Sequence, residues 1–199
     1  GKEELSLLVA GCNNLDRFTK NLLNQAKIEG GVLRKAQYRT TNVLNLISNL
    51  IFVYRGLANK FKKTLQLQMQ MGFPTSIYTD ALKVEMIASN LISNAIKYSP
   101  ENTAITIYLG YKDDNWYIEV ENEGDPIPEN LKAKIFDPYI TENTQGINIR
   151  GTGLGLSITK DSVDLLKGKI EVTSESGEKT IIFRATLPLT VDNEIRISA

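Results

Sequence analysis

The 199-residue sequence contains no histidine. This absence excludes every mechanism that needs an imidazole on this chain, including histidine-dependent triads, most catalytic zinc sites and phosphorylation of its own histidine. The single cysteine, Cys12, cannot form an internal disulfide, so we expect a reducing compartment. No apolar run approaches the ~20 residues that a membrane span needs, and we expect no span in this chain.

Neither sign of charge is in excess. Lysine plus arginine and aspartate plus glutamate both number 23, so nothing in the net charge attracts nucleic acid, and we expect no nucleic-acid partner. A composition that is 42% hydrophobic and 23% charged is typical of a soluble globular protein. The sequence begins at Gly1 without a methionine and carries no signal-peptide pattern, so we interpret it as part of a longer protein.

The first part of the sequence predicts a long helix over about Leu5–Glu29. Its apolar stripe alternates steps of three and four residues, with Thr19 filling the one gap; its members are Leu5, Leu8, Cys12, Leu15, Leu22 and Ala26. Gly30-Gly31 provides the stop signal. We expect this helix to pack against a partner helix, from a segment outside this sequence or from another chain, with Cys12 as a buried structural thiol.

The rest of the sequence predicts alternating strands and helices. The predicted order is a strand over 32–38, a helix capped by Thr40 or Thr41, a strand over 65–69, a helix from Asp80 to Tyr98, strands over 105–109 and 116–120 joined by a turn at 111–115, a short helix near Leu131, a helix over 154–166, and strands from 170 and over 181–187. We therefore predict an α+β fold, a two-layer α/β sandwich with a mixed, mainly antiparallel sheet and helices on one face, preceded by the leading helix.

A polar edge is predicted on the helix that ends at Tyr98. At about 100° per residue, Asn90, Asn94, Lys97 and Tyr98 share one sector beside an apolar stripe. Amide oxygens are suitable ligands for Mg²⁺ and a lysine neutralises phosphate, so this edge suits a phosphate and metal site. An ordinary solvated helix face explains the pattern equally well.

Three further motifs follow. Asn122 and Gly124 end a strand, where an amide can accept a hydrogen bond from an adenine amino group; a plain turn is the simpler interpretation. The stretch Ile135–Tyr139 alone reads as a corner of the core. The run Gly151-Thr152-Gly153-Leu154-Gly155-Leu156 opens a helix and can bring backbone N–H groups to an anion, although it lacks a Walker lysine.

Together, the order and spacing of these four motifs resemble the nucleotide-binding boxes of the histidine kinase catalytic domain, in the superfamily that includes gyrase and the heat-shock chaperone ATPases. The resemblance covers nearly the whole chain, and Leu22–Gly30 is similar to the end of a second dimerisation helix. It implies three parts: the C-terminal part of a dimerisation hairpin over 1–31, an ATP-binding catalytic domain over 32–190, and a polar tail or linker over 191–199.

The resemblance also implies roles for individual residues. Asn94 would coordinate Mg²⁺, and Asn90, Asn94 and Lys97 would form the catalytic set. The residues that would contact the nucleotide are Asn90, Asn94, Lys97, Tyr98, Asn122, Gly124, Ile127, Phe136, Tyr139, Arg150, Gly151, Thr152, Gly153, Leu154, Gly155, Leu156 and Thr180. Residues from about Tyr139 to Arg150 would form a lid. Asn122 departs from the family, which usually has an aspartate there.

The implied activity is that of a two-component sensor histidine kinase, which binds Mg-ATP and transfers the γ-phosphate to a histidine. That histidine must lie outside this chain, and the implied partners are a histidine-containing dimerisation helix of the same protein and the receiver domain of a response regulator. Gyrase-like relatives have a glutamate at the position of Asn90, and that glutamate activates water. Asn90 cannot act as a base, so ATP hydrolysis by this chain should be poor. The alternative is a non-catalytic nucleotide-binding or signalling interaction module. Either would act in the cytoplasm, on its own or as the cytoplasmic part of a membrane-bound sensor.

Overall fold

The elements of the fold run in a mixed order of strands and helices. The computed structural model describes residues 35–74, 76–140, 153–175 and 177–189. The elements are β1 Arg39–Asn42, α1 Val43–Lys60, β2 Thr64–Met69, β3 Ser76–Thr79, α2 Ala81–Tyr98, β4 Ala104–Lys112, β5 Asn115–Glu123, α3 Glu129–Lys132, α4 Gly155–Leu165, β6 Lys169–Ser174 and β7 Thr180–Pro188. The predicted leading helix, the tail and the two domain boundaries lie outside the described residues.

One five-stranded sheet organises the domain. Its order is β2-β4-β5-β7-β6, with β2 parallel to β4 and all other pairs antiparallel. Side chains alternate between the faces, so register partners such as Ile118 and Ala185, or Val120 and Phe183, lie together on one face and are buried. This arrangement confirms the predicted mixed, mainly antiparallel sheet.

The helices α1, α2 and α4 cover the apolar face of this sheet. Ile47 and Ile51 of α1 and Ile87 and Leu91 of α2 are almost fully buried and join the strand residues in one core. Asp80 caps α2 as predicted, because its carboxylate accepts hydrogen bonds from the N–H groups of residues 82 and 83, at 2.9 and 3.1 Å. No helix in the described part of the chain is long and apolar enough to cross a membrane.

The outer face of the sheet is covered by its own polar and aromatic side chains. The rings of Tyr108 and Tyr117 stack at 6.1 Å, and Arg184 lies 4.6 Å from the Tyr117 ring while pairing with Glu119. Gly110 is the register partner of Tyr117, and a Cβ at Gly110 would lie 2.3 Å from that ring. The glycine therefore lets the ring lie flat over the strand.

Two local predictions are wrong. Residues 35–38 form no strand; the strand lies later, at Arg39–Asn42, because it pairs with β3, which the sequence pattern did not reveal. The cap of α1 is not Thr40 or Thr41 but Asn42, whose side-chain oxygen accepts a hydrogen bond from the N–H of Asn45 at 2.9 Å. The turn predicted at 111–115 narrows to residues 113 and 114, since β4 and β5 both extend toward it.

Candidate functional site

The polar edge of α2 faces α4. The apolar residues Val84, Ala88, Leu91 and Ala95 are buried as the helical period predicts. Asn90 and Asn94 are half-buried at the margin of this core. Because these two residues are one helical turn apart, their side chains point along the same edge. The edge therefore presents two amides at the boundary between core and surface.

A hydrogen bond joins this edge to the start of α4. The Asn90 Nδ2 donates to the carbonyl oxygen of Gly155 at 3.0 Å, and a Cβ at Gly155 would lie 3.7 Å from Asn90 Oδ1. The hydroxyl of Thr159 donates to the same carbonyl at 2.9 Å. Sequence reasoning missed Thr159, although its position four residues after Gly155 is the spacing at which a helical threonine bonds back to a carbonyl. The glycine run and the asparagines are thus held together.

The glycine run is described only from Gly153 onward. Gly153 has a φ of 68°, in the left-handed region that favours glycine. Leu154 is buried with Met86 and Ile158, and Leu156 packs on the main core. These contacts fix the first turn of α4, whose N-terminus is suited to an anion. Arg150, Gly151 and Thr152 lie outside the described residues.

Lys97 and Tyr98 lie at the end of α2. The Lys97 ammonium donates to the Tyr98 hydroxyl at 2.7 Å and lies 4.3 Å from the centre of its ring. Within the described ranges Lys97 has no carboxylate partner. A lysine whose charge is not neutralised by an acid remains available for a phosphate.

The end of β5 lies beside the end of α2. Asn122 is buried, and its Nδ2 donates to the carbonyl oxygen of Glu123 at 2.8 Å. The Cβ that Gly124 lacks would lie 3.8 Å from the Tyr98 carbonyl oxygen. Thr180 is close by, because it is the register partner of Glu123. The predicted adenine residues therefore adjoin the predicted phosphate residues.

Two further predicted nucleotide residues, Ile127 and Phe136, lie between β5 and α4. The Ile127 N–H donates to the hydroxyl of Ser174, which is buried on β6, at 3.0 Å. Phe136 is buried edge-on against Phe183, with ring centres 6.4 Å apart. This contact agrees with the simpler interpretation of Phe136 as a corner of the core. The Ser174 contact was missed because it joins residues 47 positions apart.

The start of the predicted lid lies beside the glycine run. The Tyr139 N–H donates to the carbonyl oxygen of Gly153 at 3.0 Å, and Tyr139 has a left-handed φ of 64°. The Tyr139 side chain is exposed and lies outside the core. The chain that leaves near residue 139 thus returns at residue 153, immediately before α4.

Buried charge lies at the other end of the junction between α2 and α4. Lys83 is buried on α2, and its Nζ has no hydrogen-bond partner in the described part of the chain. Burial lowers the pKa of the Lys83 ammonium, an effect that Asp80 and Asp161 oppose. Burial, together with Asp164, raises the pKa of the Asp161 carboxyl.

The side chains at this site can hold a magnesium ion only together with a bound nucleotide. Across the described residues, no group of three or more histidine, cysteine, aspartate or glutamate side chains could hold a metal. Asn94 offers one amide oxygen and is half-buried. Mg²⁺ is commonly held by one or two protein oxygens plus substrate phosphates and water, so a single amide is sufficient only if a nucleotide completes the shell.

Comparison with known proteins gives one family. The family described as "Histidine kinase-, DNA gyrase B-, and HSP90-like ATPase" matches residues 79–191. The heme sensor protein HssS of Staphylococcus haemolyticus is 41% identical over 179 residues, which are 89% of this chain and 37% of that protein. The sensor protein VanSC of Enterococcus gallinarum is 31% identical over 158 residues, or 79% of this chain and 42% of that protein.

Solved structures give the same result. The catalytic domain of histidine kinase ThkA superposes with a TM-score of 0.66 at 29% identity, covering 77% of this chain and 97% of that one. ThkA in complex with the response regulator protein TrrA gives a TM-score of 0.71 at 26% identity, covering 90% of this chain and 49% of that one. The chain spans less than half the length of the curated relatives that it matches.

Proposed function

Because this chain belongs to the family of histidine kinase-, DNA gyrase B- and HSP90-like ATPases and is the ATP-binding catalytic domain of a sensor histidine kinase, we propose that it binds Mg-ATP at the junction of α2 and α4 and transfers the γ-phosphate to a histidine outside this chain. The observation that carries the proposal is the hydrogen bond from Asn90 to Gly155, which joins the amide edge to the glycine run.

Each end of the nucleotide has a place in this proposal. The phosphates lie at the N-terminus of α4, where the helix dipole and backbone N–H groups favour negative charge. Lys97 would supply a positive charge, and Asn94 would hold the magnesium ion, which would add positive charge beside the phosphates. The adenine lies toward Asn122 and Gly124, beside the end of α2. Residues from about Tyr139 to Arg150 would cover the nucleotide as the lid; of these, 141–150 lie outside the described residues.

The residue chemistry favours transfer over hydrolysis. Hydrolysis requires a base that activates water, and the neutral amide of Asn90 cannot act as one. Its Nδ2 instead donates a hydrogen bond to the Gly155 carbonyl oxygen. Phosphoryl transfer depends mainly on positioning and on neutralising charge. Magnesium, when bound, would polarise the phosphate, while Asn90 and Lys97 hold the surrounding groups in place. The acceptor histidine outside this chain, the response regulator as a partner and the cytoplasmic setting are part of the proposal.

Calorimetry with ATP tests the site. We expect Mg-dependent ATP binding to this chain, lost in Asn94→Ala and retained in the control Asn59→Ala, which removes an exposed amide from α1. Full binding by Asn94→Ala would refute the assignment of the magnesium ligand. Failure of the unaltered chain to bind ATP would favour a non-catalytic signalling module.

Transfer is tested on the full-length protein. Incubated with Mg-ATP labelled in the γ-phosphate, it should gain phosphate that is stable to alkali and labile to acid. Asn94→Ala in the full-length protein should abolish the label. Binding of ATP without any acid-labile phosphate would leave the nucleotide site in place and refute the transfer.

A further inference from the structure

The side chain at the proposed base site, at the end of β5, is a primary amide in uncharged surroundings. Asn122 is 4% exposed. Its register partner on β7 is Ile181, whose partner on β6 is Ser174, and both of these residues are also buried. This row of residues carries no charge that would bias the amide toward accepting or toward donating a hydrogen bond. The hydrogen-bonding character of the position is therefore that of the amide itself.

One contact sets the orientation of this amide. The Asn122 Nδ2 donates to the carbonyl oxygen of Glu123 at 2.8 Å. Turning the amide by half a rotation would place its oxygen against that carbonyl oxygen, which is unfavourable because both atoms are acceptors. A primary amide has one acceptor oxygen and two N–H hydrogens, and the contact uses one hydrogen. Toward a ligand, Asn122 can therefore act both as an acceptor and as a donor.

The turn after β5 uses its backbone N–H groups within the protein. The Gly124 N–H donates to the carbonyl oxygen of Lys179 at 2.8 Å, and the Ile127 N–H donates to the buried hydroxyl on β6 at 3.0 Å. The two prolines of this turn have no N–H. Apart from Asp125, the residues of the turn thus have no N–H to offer a purine ring. We therefore assign recognition of the purine 6-position to the side chain of Asn122.

Purine bases differ at the edge that such an amide contacts. Adenine has an amino donor at position 6 and an acceptor at N1, whereas hypoxanthine and guanine have a carbonyl acceptor at position 6 and an N–H donor at N1. An amide can pair with either edge, because it both accepts and donates. An ionised carboxylate only accepts, so it pairs with the adenine amino group and repels the carbonyl oxygen of a 6-oxopurine. An amide at this position therefore removes the discrimination that a carboxylate would provide.

We propose that the nucleotide site accepts the triphosphates of 6-oxopurines as phosphate donors alongside ATP, and that Asn122 is the specificity-determining residue. This inference rests on the proposed function and deepens it, because it widens the class of nucleotide that the site binds. The phosphates, ribose and magnesium are common to all these donors, so only the contact with the base differs. The transfer step is also the same: the γ-phosphate passes to the acceptor and the nucleoside diphosphate leaves.

Calorimetry with ITP tests the unaltered chain, because ITP differs from ATP only at position 6 and in the proton at N1. With magnesium present, ITP should displace ATP and bind within about tenfold of its affinity, since one neutral hydrogen bond replaces another. Inorganic triphosphate, which lacks the base, should bind at least about tenfold more weakly than ITP, because it buries no ring. An ITP affinity more than about tenfold below that of ATP overturns the proposal. Triphosphate binding as tight as that of ITP also overturns it, because the base is then not recognised.

The variant Asn122→Asp tests the role of the amide. Its carboxylate keeps an acceptor for the amino group of adenine and loses the donor for a 6-oxopurine, so the preference for ATP over ITP should rise at least about tenfold. Asn115→Asp is the matched control, because it makes the same change at an exposed amide at the other end of β5 and should leave the preference unaltered. The preference is a ratio of two affinities in one protein, so a general loss of affinity cancels.

The outcomes separate this proposal from the proposed function. If neither ATP nor ITP binds the unaltered chain, the nucleotide site itself is refuted, and this proposal with it. If ATP binds and ITP does not, only this proposal is overturned. Fluorescence of the buried Trp116 verifies that each variant is folded, and an unaltered preference in folded Asn122→Asp overturns the role of the amide. The ITP measurement on the unaltered chain decides the proposal even where that variant does not fold.

Discussion

The hydrogen bond between Asn90 and Gly155 can be reversed by one isosteric change. In Asn90→Asp the donor Nδ2 becomes a carboxylate oxygen, which faces the Gly155 carbonyl oxygen instead of donating to it. Loss of one hydrogen bond costs about 1 kcal/mol, and the repulsion of a half-buried carboxylate adds a similar amount. Since Thr159 still donates to Gly155, the carbonyl keeps one partner. We expect the free energy of unfolding to fall by about 1–2 kcal/mol at neutral pH.

The pH dependence of the stability of Asn90→Asp distinguishes the effect of the introduced charge from that of the changed side-chain group. The introduced carboxyl is less favourable when ionised in the folded state, so its folded pKa is raised above the unfolded value of about 3.9. The deficit is therefore complete above the folded pKa and disappears as the pH falls toward about 4, where the protonated carboxyl can donate again. Asn90→Ala should lose about 1 kcal/mol without this pH dependence.

Urea denaturation measures both effects. Trp116, the single tryptophan, is fully buried and reports unfolding by fluorescence. The control Asn59→Asp introduces the same carboxylate on the exposed side of α1 and should leave stability within about 0.5 kcal/mol of the unaltered chain. Calorimetry should also find weaker ATP binding in Asn90→Asp. Unaltered stability at neutral pH, or a deficit that persists on acidification, would refute a structural role for the Asn90 donor.

Three further outcomes are expected. Lys83→Met should raise the free energy of unfolding by about 1–3 kcal/mol, because it removes a buried ammonium without a partner among the described residues. Burial lowers the folded pKa of Lys83, so the gain in free energy of unfolding should be complete below that pKa and vanish as the pH rises toward 10.5. A gain that does not shrink at alkaline pH would contradict this cause. Gly168→Ala should destabilise the chain by about 3 kcal/mol in urea titrations, because the added Cβ would lie 2.4 Å from the Thr186 carbonyl oxygen; a neutral effect would show that β7 can move. Asn122→Asp should tighten ATP binding roughly fivefold to tenfold in calorimetry, because a charged acceptor strengthens the bond to an adenine amino group, and unchanged affinity would place the adenine elsewhere. The same change removes the donor to the Glu123 carbonyl oxygen and should lower the free energy of unfolding by about 1–2 kcal/mol.

The parts of the fold that local chemistry determines could be predicted from the sequence. Asp80 caps α2 through N–H groups two and three residues away, so its signal lies within one turn of the chain. The strands around Ile107 and Ile118 alternate with period two because one face is buried. In contrast, β1 and β3 have four residues each and exist by pairing with one another, with Thr41 opposite Ile77. Such pairing leaves little pattern in either segment, so the prediction placed the strand too early.

The candidate site also combines features that could be predicted from local sequence with contacts that could not. Helical periodicity placed Asn90 and Asn94 on one edge, since both lie on one helix. The partner of Asn90 is 65 residues away, and no pattern in either segment identifies it. Thr159 was missed because its role depends on the same carbonyl. The resemblance supplied the link between the segments, and the structure adds which atoms meet.

Asn122 is where the structure adds most to the sequence. From residue type alone, an amide could face the nucleotide with its donor or with its acceptor. Here Nδ2 donates to the neighbouring carbonyl oxygen of Glu123, which engages one of its two hydrogens. An adenine amino group needs an acceptor, which the amide oxygen of Asn122 can supply without the charge of an aspartate. The neutral acceptor weakens the bond rather than removing it, and Asn122→Asp measures that difference.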